Sequence, residues 1–262
     1  MTGEPEPFVR LRNVRKVYRT RGQEFLAVSD VTMDVQEGEL ISLVGPSGCG
    51  KTTVLKILAG LHEADGGTVA IGNARTPFDP ARDIGMVFQQ ALLLKWRTVL
   101  GNVLLGLETR GVDRVEAEGK AREYLRGFGL SGFENAYPKT LSGGMRQRVA
   151  LIRTLIMDPD ILLLDEPFSA LDYQTRLYLE GVLKDAVETY HKTVILVTHD
   201  IDEAVALSKR VVVLSGRPAS VKTVHDIDIR APSPIAARSD GRFSGYFHSL
   251  CAELDIQTEK TA

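Results

Sequence analysis

Residues 45–53 read GPSGCGKTT, between the largely apolar run ELISLV (39–44) and the segment VLKILAGL (54–61). A short apolar run that stops at a glycine suits a buried strand, and apolar residues at helical spacing suit a helix after it. The stretch between them fits G-x-x-x-x-G-K-S/T from Gly45 to Thr52 without a mismatch, in the strand–loop–helix context that the pattern requires. Gly45, Gly48 and Gly50 let backbone N–H groups converge on phosphate oxygens, and the helix aims its positive end at the same point. Pro46, Ser47 and Cys49 complete the loop, and Thr53 falls in the first helical turn. Lys51 offers a compact charge to the outer phosphates, and Thr52 offers a hydroxyl to Mg2+. Residues 45–53 are therefore expected to bind ATP. Cys49 stands at the predicted helix N-terminus, where a thiolate is favoured, so it is expected to react with thiol reagents unless ATP covers it.

Acids at a neighbouring strand end would complete such a site. ILLLDE (161–166) places Asp165 and Glu166 just beyond an apolar run. Alone, that pattern is more often a solvated strand end; beside a phosphate loop it assigns Asp165 to the Mg2+ and Glu166 to a general base. His199 follows the apolar run VILVT, on the carboxyl edge expected for the same sheet, where it can hydrogen-bond a γ-phosphate and orient the attacking water. Gln89 closes IGMVF (84–88), and its amide can touch both a metal and a water. Tyr18 offers an aromatic face to a base, with ordinary packing an equal alternative.

Short apolar strands alternate with helical segments, which argues for a mostly parallel sheet covered by helices. TVAIG, IGMVF, TVILVTH and RVVVL read as strands. From about residue 91 to 158 helical spacing dominates, with Met145, Val149, Ile152 and Ile156 on one face. Leu179, Leu183, Ala186 and Tyr190 line a later helix. One domain over residues 1–262 is expected, with a core at 1–90 and 159–228, a helical subdomain at 91–158 and a helical tail at 229–262. In that tail Phe243, Phe247, Leu250 and Leu254 form a stripe that suits packing onto the parent domain, with a partner contact as the alternative.

Hydrophobic residues make up 44% and charged residues 25%, enough for a real core, and a net charge of -2 gives no global case for nucleic acid. The local basic run Arg10, Arg12, Arg15, Lys16, Arg19 and Arg21 interleaves with apolar residues and reads as a solvated edge strand and turn, with a phosphate- or lipid-facing patch as the alternative. Two cysteines suggest no disulfide framework, and MTGEPEPFVR resembles no secretory leader. With no apolar run near the ~20 residues of a membrane span, a soluble cytoplasmic chain is expected.

LSGGMRQR (141–148) is a second candidate anion loop: a hydroxyl, two glycines, then helix. With phosphate loop, acid pair and this stretch in order, the chain resembles the ATP-binding subunits of ABC transporters over essentially its whole length. LSGGMRQR is similar to that family's signature, SALD (169–172) to its D-loop, and His199 to its switch histidine. The resemblance implies an α/β P-loop NTPase fold, with a RecA-like, mostly parallel core, an N-terminal antiparallel β portion and an inserted helical subdomain. It also implies a head-to-tail homodimer, in which Ser142, Gly143, Gly144 and Met145 meet the partner's ATP and Asp172 reaches across the interface. Separate integral-membrane permease subunits would feel the motion from the cytoplasmic face of the inner membrane, beside a solute-binding protein.

The segment around Gln89, QQALLLKWRTVLGNVLLGLE, resembles most the importers of nitrate, sulfonates, taurine and related small solutes, with Lys95 standing where those relatives commonly have proline. Leu92, Leu93, Leu94 and Trp96 read equally as core or as docking surface. An export or lipid-handling ATPase, or one acting on nucleic acid or ribosomes, is the alternative; the latter lacks support from a coiled-coil insertion, a second cassette or a zinc cluster.

Overall fold

The computed structural model describes residues 6–20, 23–72, 78–169 and 171–255. Arg21 of the basic run and Ala170 of SALD lie outside the described residues. The strands are β1 (Val9–Thr20), β2 (Gln23–Val35), β3 (Leu40–Val44), β4 (Gly66–Ile71), β5 (Ile84–Val87), β6 (Ile161–Asp165), β7 (Thr193–Val197), β8 (Arg210–Leu214) and β9 (Ala219–Asp226). They form one sheet in the order β4-β1-β2-β9-β8-β3-β7-β6-β5. The run β8-β3-β7-β6-β5 is parallel throughout. β1 pairs antiparallel with both β2 and β4, and β9 pairs antiparallel with β8.

The helices are α1 (Lys51–Leu58), α2 (Pro80–Asp83), α3 (Val99–Thr109), α4 (Arg114–Gly127), α5 (Gly143–Leu155), α6 (Tyr173–Tyr190), α7 (Ile201–Leu207), α8 (Pro234–Arg238) and α9 (Phe243–Glu253), with a 3-10 turn at Pro138–Thr140. Strands β3, β6 and β7 are buried at every position, as a parallel sheet covered on both faces requires. Alternation sorts their side chains. Leu162, Leu164, Val194 and Leu196 pack with Val103 of α3, Leu125 of α4, Val149 and Ile152 of α5 and Leu179 of α6. Ile161, Leu163, Ile195 and Val197 pack with Val54 and Leu55 of α1 and with Val14 and Val31 of the antiparallel strands. The helix behind the phosphate loop and the helix behind LSGG thus cover opposite faces of one sheet.

Several expectations need correction. β1 is an interior strand flanked by β2 and β4, so the edge is β4. Its cations are answered locally: Arg12 pairs with Asp34 at 2.6 Å, Lys16 with Asp65 at 3.1 Å and Arg19 with Glu24 at 2.8 Å. Tyr190 does not line the core; at the last turn of α6 it is 69% exposed. Strand β9 and helix α7 carry no expectation from the sequence reading.

The tail packs onto the parent domain. Phe243 and Leu250 of α9 are buried with Ile201, Ala204 and Val205 of α7, and Phe247 and Leu254 pack at the margin. Arg238 of α8 fastens the tail to α6 by two hydrogen bonds to Glu180, of 2.7 and 3.0 Å, and lies 3.5 Å from Asp202 of α7. The Glu180 side chain is fully buried. Arg238→Ala strands that carboxylate, so it should destabilise the fold by roughly 3 kcal/mol, read as a shift in the denaturant midpoint. Replacing both partners with apolar residues of similar volume should recover most of the loss.

Candidate nucleotide site

Parallel pairing brings the carboxyl ends of β3, β7, β6 and β5 to one edge of the sheet, and the phosphate loop, His199, the Asp165–Glu166 pair and Gln89 stand at those ends. After β3 the chain turns through residues 45–50. Gly48 and Gly50 have φ of +68° and +128°, conformations that L side chains rarely adopt. At Gly50 a Cβ would also lie 2.8 Å from the Ala27 carbonyl oxygen. Gly50 is the N-cap of α1 and no side chain caps the helix, which leaves its amide groups for an anion. Pro46, Ser47 and Gly48 are exposed along the loop, and Gly45 is buried.

Lys51 is 6% exposed, and its ammonium donates to the Gly45 and Pro46 carbonyls at 2.7 and 3.0 Å. Those bonds hold the charge inside the loop, where a phosphate would replace the carbonyls. Cys49 departs from expectation. Its side chain is 1% exposed and belongs to the core with Val54 and Leu55, because it points under the loop. Burial removes the access that a thiol reagent needs.

From β6, Asp165 accepts a 3.0 Å hydrogen bond from the Thr52 hydroxyl. Burial raises the Asp165 carboxyl above its ordinary range; the Thr52 bond opposes that rise and the neighbouring Glu166 charge adds to it. A hydroxyl and a buried carboxylate with charge in excess make a hard-oxygen donor set that fits Mg2+. Among the described residues no cluster of three or more His, Cys, Asp or Glu side chains could hold a metal. An ion there would therefore take its other ligands from phosphate oxygens and water, the usual arrangement for Mg2+ at a nucleotide.

Glu166 has φ of +47°, and its N–H donates to the Val197 carbonyl at 2.9 Å. That backbone turn aims its carboxylate off the strand axis. Gln89 donates to Glu166 Oε2 at 2.8 Å, and His199 Nδ1 lies 3.3 Å from the same oxygen. The His199 side chain is 64% exposed, so it faces the open edge. Tyr18 lies 3.4 Å from the Thr53 hydroxyl, edge-on to His62, which sets it beside the loop. The sequence reading missed Arg217, which donates to the Gly48 carbonyl at 2.6 Å and lies over the Phe25 ring. No motif marks it; only the β8–β9 hairpin brings it to the loop.

The remaining candidates lie apart from this edge. Ser142 caps α5 by accepting from the Met145 N–H at 3.2 Å, and Ser142 and Gly143 are exposed. Met145 and Gly144 are half-buried. Asp172 caps α6 by accepting from the Thr175 N–H at 3.0 Å, a bond that holds its carboxyl below the usual range. Both caps are sufficient structural reasons for these residues, whatever else they meet.

A sheet edge of this build, with a phosphate cradle, a hydroxyl–acid pair and a held glutamate, defines the class of P-loop ATPases. The ABC transporter profile matches residues 28–169. The chain is 46% identical over 224 residues to MJ0412 of Methanocaldococcus jannaschii, an uncharacterized ABC transporter ATP-binding protein, covering 86% of this chain and 84% of the relative. It is 38% identical over 254 residues to the taurine import ATP-binding protein TauB of Burkholderia pseudomallei, covering 95% and 97%. The dimeric post-hydrolysis structure of the ATP-binding cassette MJ0796, bound to ADP and Pi, superposes with a TM-score of 0.76 at 35% identity, covering 84% of this chain and 98% of that one. The chain belongs to the ABC transporter family as an ATP-binding subunit, and it is an ATP hydrolase. Among the described residues, no helix is long and apolar enough to cross a membrane.

One acid near the site titrates far from its usual range. Glu203 of α7 is 4% exposed, and burial pushes its carboxyl up to about 8; the Thr198 hydroxyl opposes this, Glu180 and Asp200 add to it, and Arg176 offsets part. The unfolded chain releases this proton near 4.5, so the folded chain holds it where the unfolded chain does not. Its contribution to stability is complete below that lower value and is lost as pH rises toward about 8. Denaturant midpoints measured from about pH 5 to 9 should fall more steeply for the wild type than for Glu203→Gln.

Proposed function

We propose that this chain powers the import of a small solute of the taurine and sulfonate kind, as a homodimer of ATP-hydrolysing subunits beneath separate permease subunits. The observation that carries the reading is the placement of two anion loops on helices that cover opposite faces of one sheet. An exposed, glycine-rich helix N-terminus at Ser142 and Gly143 has no use for the ATP of its own phosphate loop across the sheet. Facing a second copy, it meets the γ-phosphate held by the partner, which closes two equivalent sites. Dimeric assembly of the MJ0796 cassette supports this, and the taurine relative supports import.

In this reading, residues 45–53 bind the phosphates and Tyr18 packs beside the base. Glu166 takes the proton from the attacking water, Gln89 and His199 hold that carboxylate, and Asp165 with Thr52 would hold Mg2+. The ion, when bound, supplies charge that offsets the negative phosphates. Residues 91–158 act as the arm that reports hydrolysis. Gln147 of α5 donates to the Phe88 carbonyl at 3.2 Å, and Arg153 donates to the Ala91 and Leu92 carbonyls at 3.1 and 2.9 Å. The helix that begins at the signature therefore grips the segment that carries Gln89. Just beyond it, Leu92 and Trp96 are 55% and 74% exposed, a surface for the permease at the cytoplasmic face of the inner membrane. A solute-binding protein completes the system; no nucleic acid is involved.

Lys51→Ala should lower turnover by roughly a hundredfold or more and weaken ATP binding. Glu166→Gln should keep ATP binding, lose about a hundredfold in kcat and trap a dimer, seen by light scattering with Mg2+ and ATP. Near-normal turnover in either variant would overturn its assignment.

Tagged Glu166→Gln, isolated from gently solubilised native membranes with ATP, should carry a polytopic membrane protein with it. Trp96→Ala should release that protein while leaving ATPase activity intact. Ribosomal proteins or nucleic acid in its place would sink the transport reading and leave the ATP chemistry standing.

A further inference from the structure

Among the described residues, His199 has one ion-pair-range contact, with Glu166, and its side chain is 64% exposed. What holds it must therefore act through its neighbours in the chain. Thr198 is 2% exposed, and its hydroxyl donates to Glu203 Oε2 while accepting from the Asp200 N–H at 3.0 Å. Asp200 caps α7 by accepting from the Glu203 N–H at 3.2 Å. Its other carboxylate oxygen accepts from Arg176 Nη1 at 2.7 Å. Arg176 belongs to the first turns of α6, and its backbone N–H donates to the Asp172 carbonyl at 2.9 Å. The residues on both sides of His199 are thus fastened, one to Glu203 and one to Arg176.

A second observation points the same way. Among the described residues, Arg176 Nε and Glu203 Oε1 are both buried without a hydrogen-bond partner. Both side chains line a single small cavity together with Glu166, Thr198 and His199. Buried polar atoms left unmatched are uncommon and call for a reason. Unmatched polar atoms on both side chains, beside the reacting residues, suit an arrangement whose final setting depends on contacts made at the start of α6.

We propose that Arg176 and Glu203 are positioning residues: they clamp residues 198–200, set the His199 imidazole against Glu166, and link that setting to the start of α6 at Asp172. The proposal rests on the assignment of His199 and Glu166 made above. In that head-to-tail dimer Asp172 faces the partner, so contact there reaches His199 through Asp172, Arg176 and Asp200. The charges that face Glu203 are Arg176 and Glu180 on α6 and Asp200 on the loop, with Arg238 of α8 neutralising Glu180. Nothing in this chain of contacts touches the phosphate loop, which separates a positioning role from a binding role.

The test is steady-state ATPase kinetics of the full chain, with ATP varied and folding checked by thermal denaturation. Arg176→Leu and Glu203→Leu should each lower kcat about tenfold with KM for ATP changed less than about twofold. Glu203→Gln keeps an acceptor for Thr198 and should return kcat to within about threefold of wild type at neutral pH. If either leucine variant does not fold, Thr198→Val removes a single hydroxyl and should lower kcat about threefold at unchanged KM. Folded variants with wild-type kcat, or with KM rising in step with the fall in kcat, overturn the proposal. His199→Ala serves as the reference: if it is inactive while the clamp variants are normal, the clamp alone is wrong. If His199→Ala is itself fully active, the assignment of His199 falls first.

Discussion

Val197 is the residue against which the strand ends are aligned. It pairs with Leu43 on one side and with Asp165 on the other, and its carbonyl receives the Glu166 N–H. That register fixes where the phosphate loop, the acids and His199 leave the sheet. Parallel pairing is evenly spaced along the strands, so strand ends in register deliver their loops at one level. A slip of one residue would exchange the two packed faces of a buried strand, and both faces here are full. The site is therefore held by the core beneath it. Loops of quite different composition can converge because none of them has to find the others.

Charge placement follows from the same alignment. Asp165 ends a strand buried on both faces, which raises its carboxyl and leaves Thr52 as its direct hydrogen-bond donor. Lys51, next to Thr52 in the chain, spends its donors on carbonyls of its own turn. Both arrangements are tolerable and neither is good. A phosphate with a divalent cation improves both at once, by giving the ammonium an anion and the acid a cation. Affinity in such a site comes largely from groups that fold into poor company.

What was legible in the sequence was whatever the chain states locally. Residues 45–52 form a contiguous pattern, and the apolar runs of β3, β6 and β7 are buried strands whatever they pair with. Glu166 and Gln89 were assigned separately, yet the bond between them, 77 positions apart, could be read only from the sheet. Cys49 looked reactive because its place along the loop says nothing about which way it points. Tyr190 kept the helical spacing of Leu179 and Leu183 but falls at the last turn, beyond the sheet it would have to touch. The basic run of β1 looked like an edge because the sequence does not reveal that β4 returns to pair outside it. Arg217, Arg176, Glu203 and Arg238 carry no motif at all; their roles depend on partners brought by hairpins and helices far along the chain.

Glu166 is the point at which these separate placements meet. Gln89 reaches it from a segment gripped by α5, the helix that opens at LSGG. His199 reaches the same oxygen from a loop fastened to α6, the helix that opens at Asp172. Both helix openings are exposed, and both present capped N-termini at the surface. A carboxylate oxygen that accepts from Gln89 and lies 3.3 Å from His199 Nδ1, each on an independently mounted segment, responds to either one, since moving one alters the position and charge environment left by the other. With a partner seated on both openings, as proposed, the two contacts would be set together, and without it they would be set by their own caps. In the proposed dimer, dependence of hydrolysis on assembly would need no hinge in the core; it would follow from which helix carries each contact.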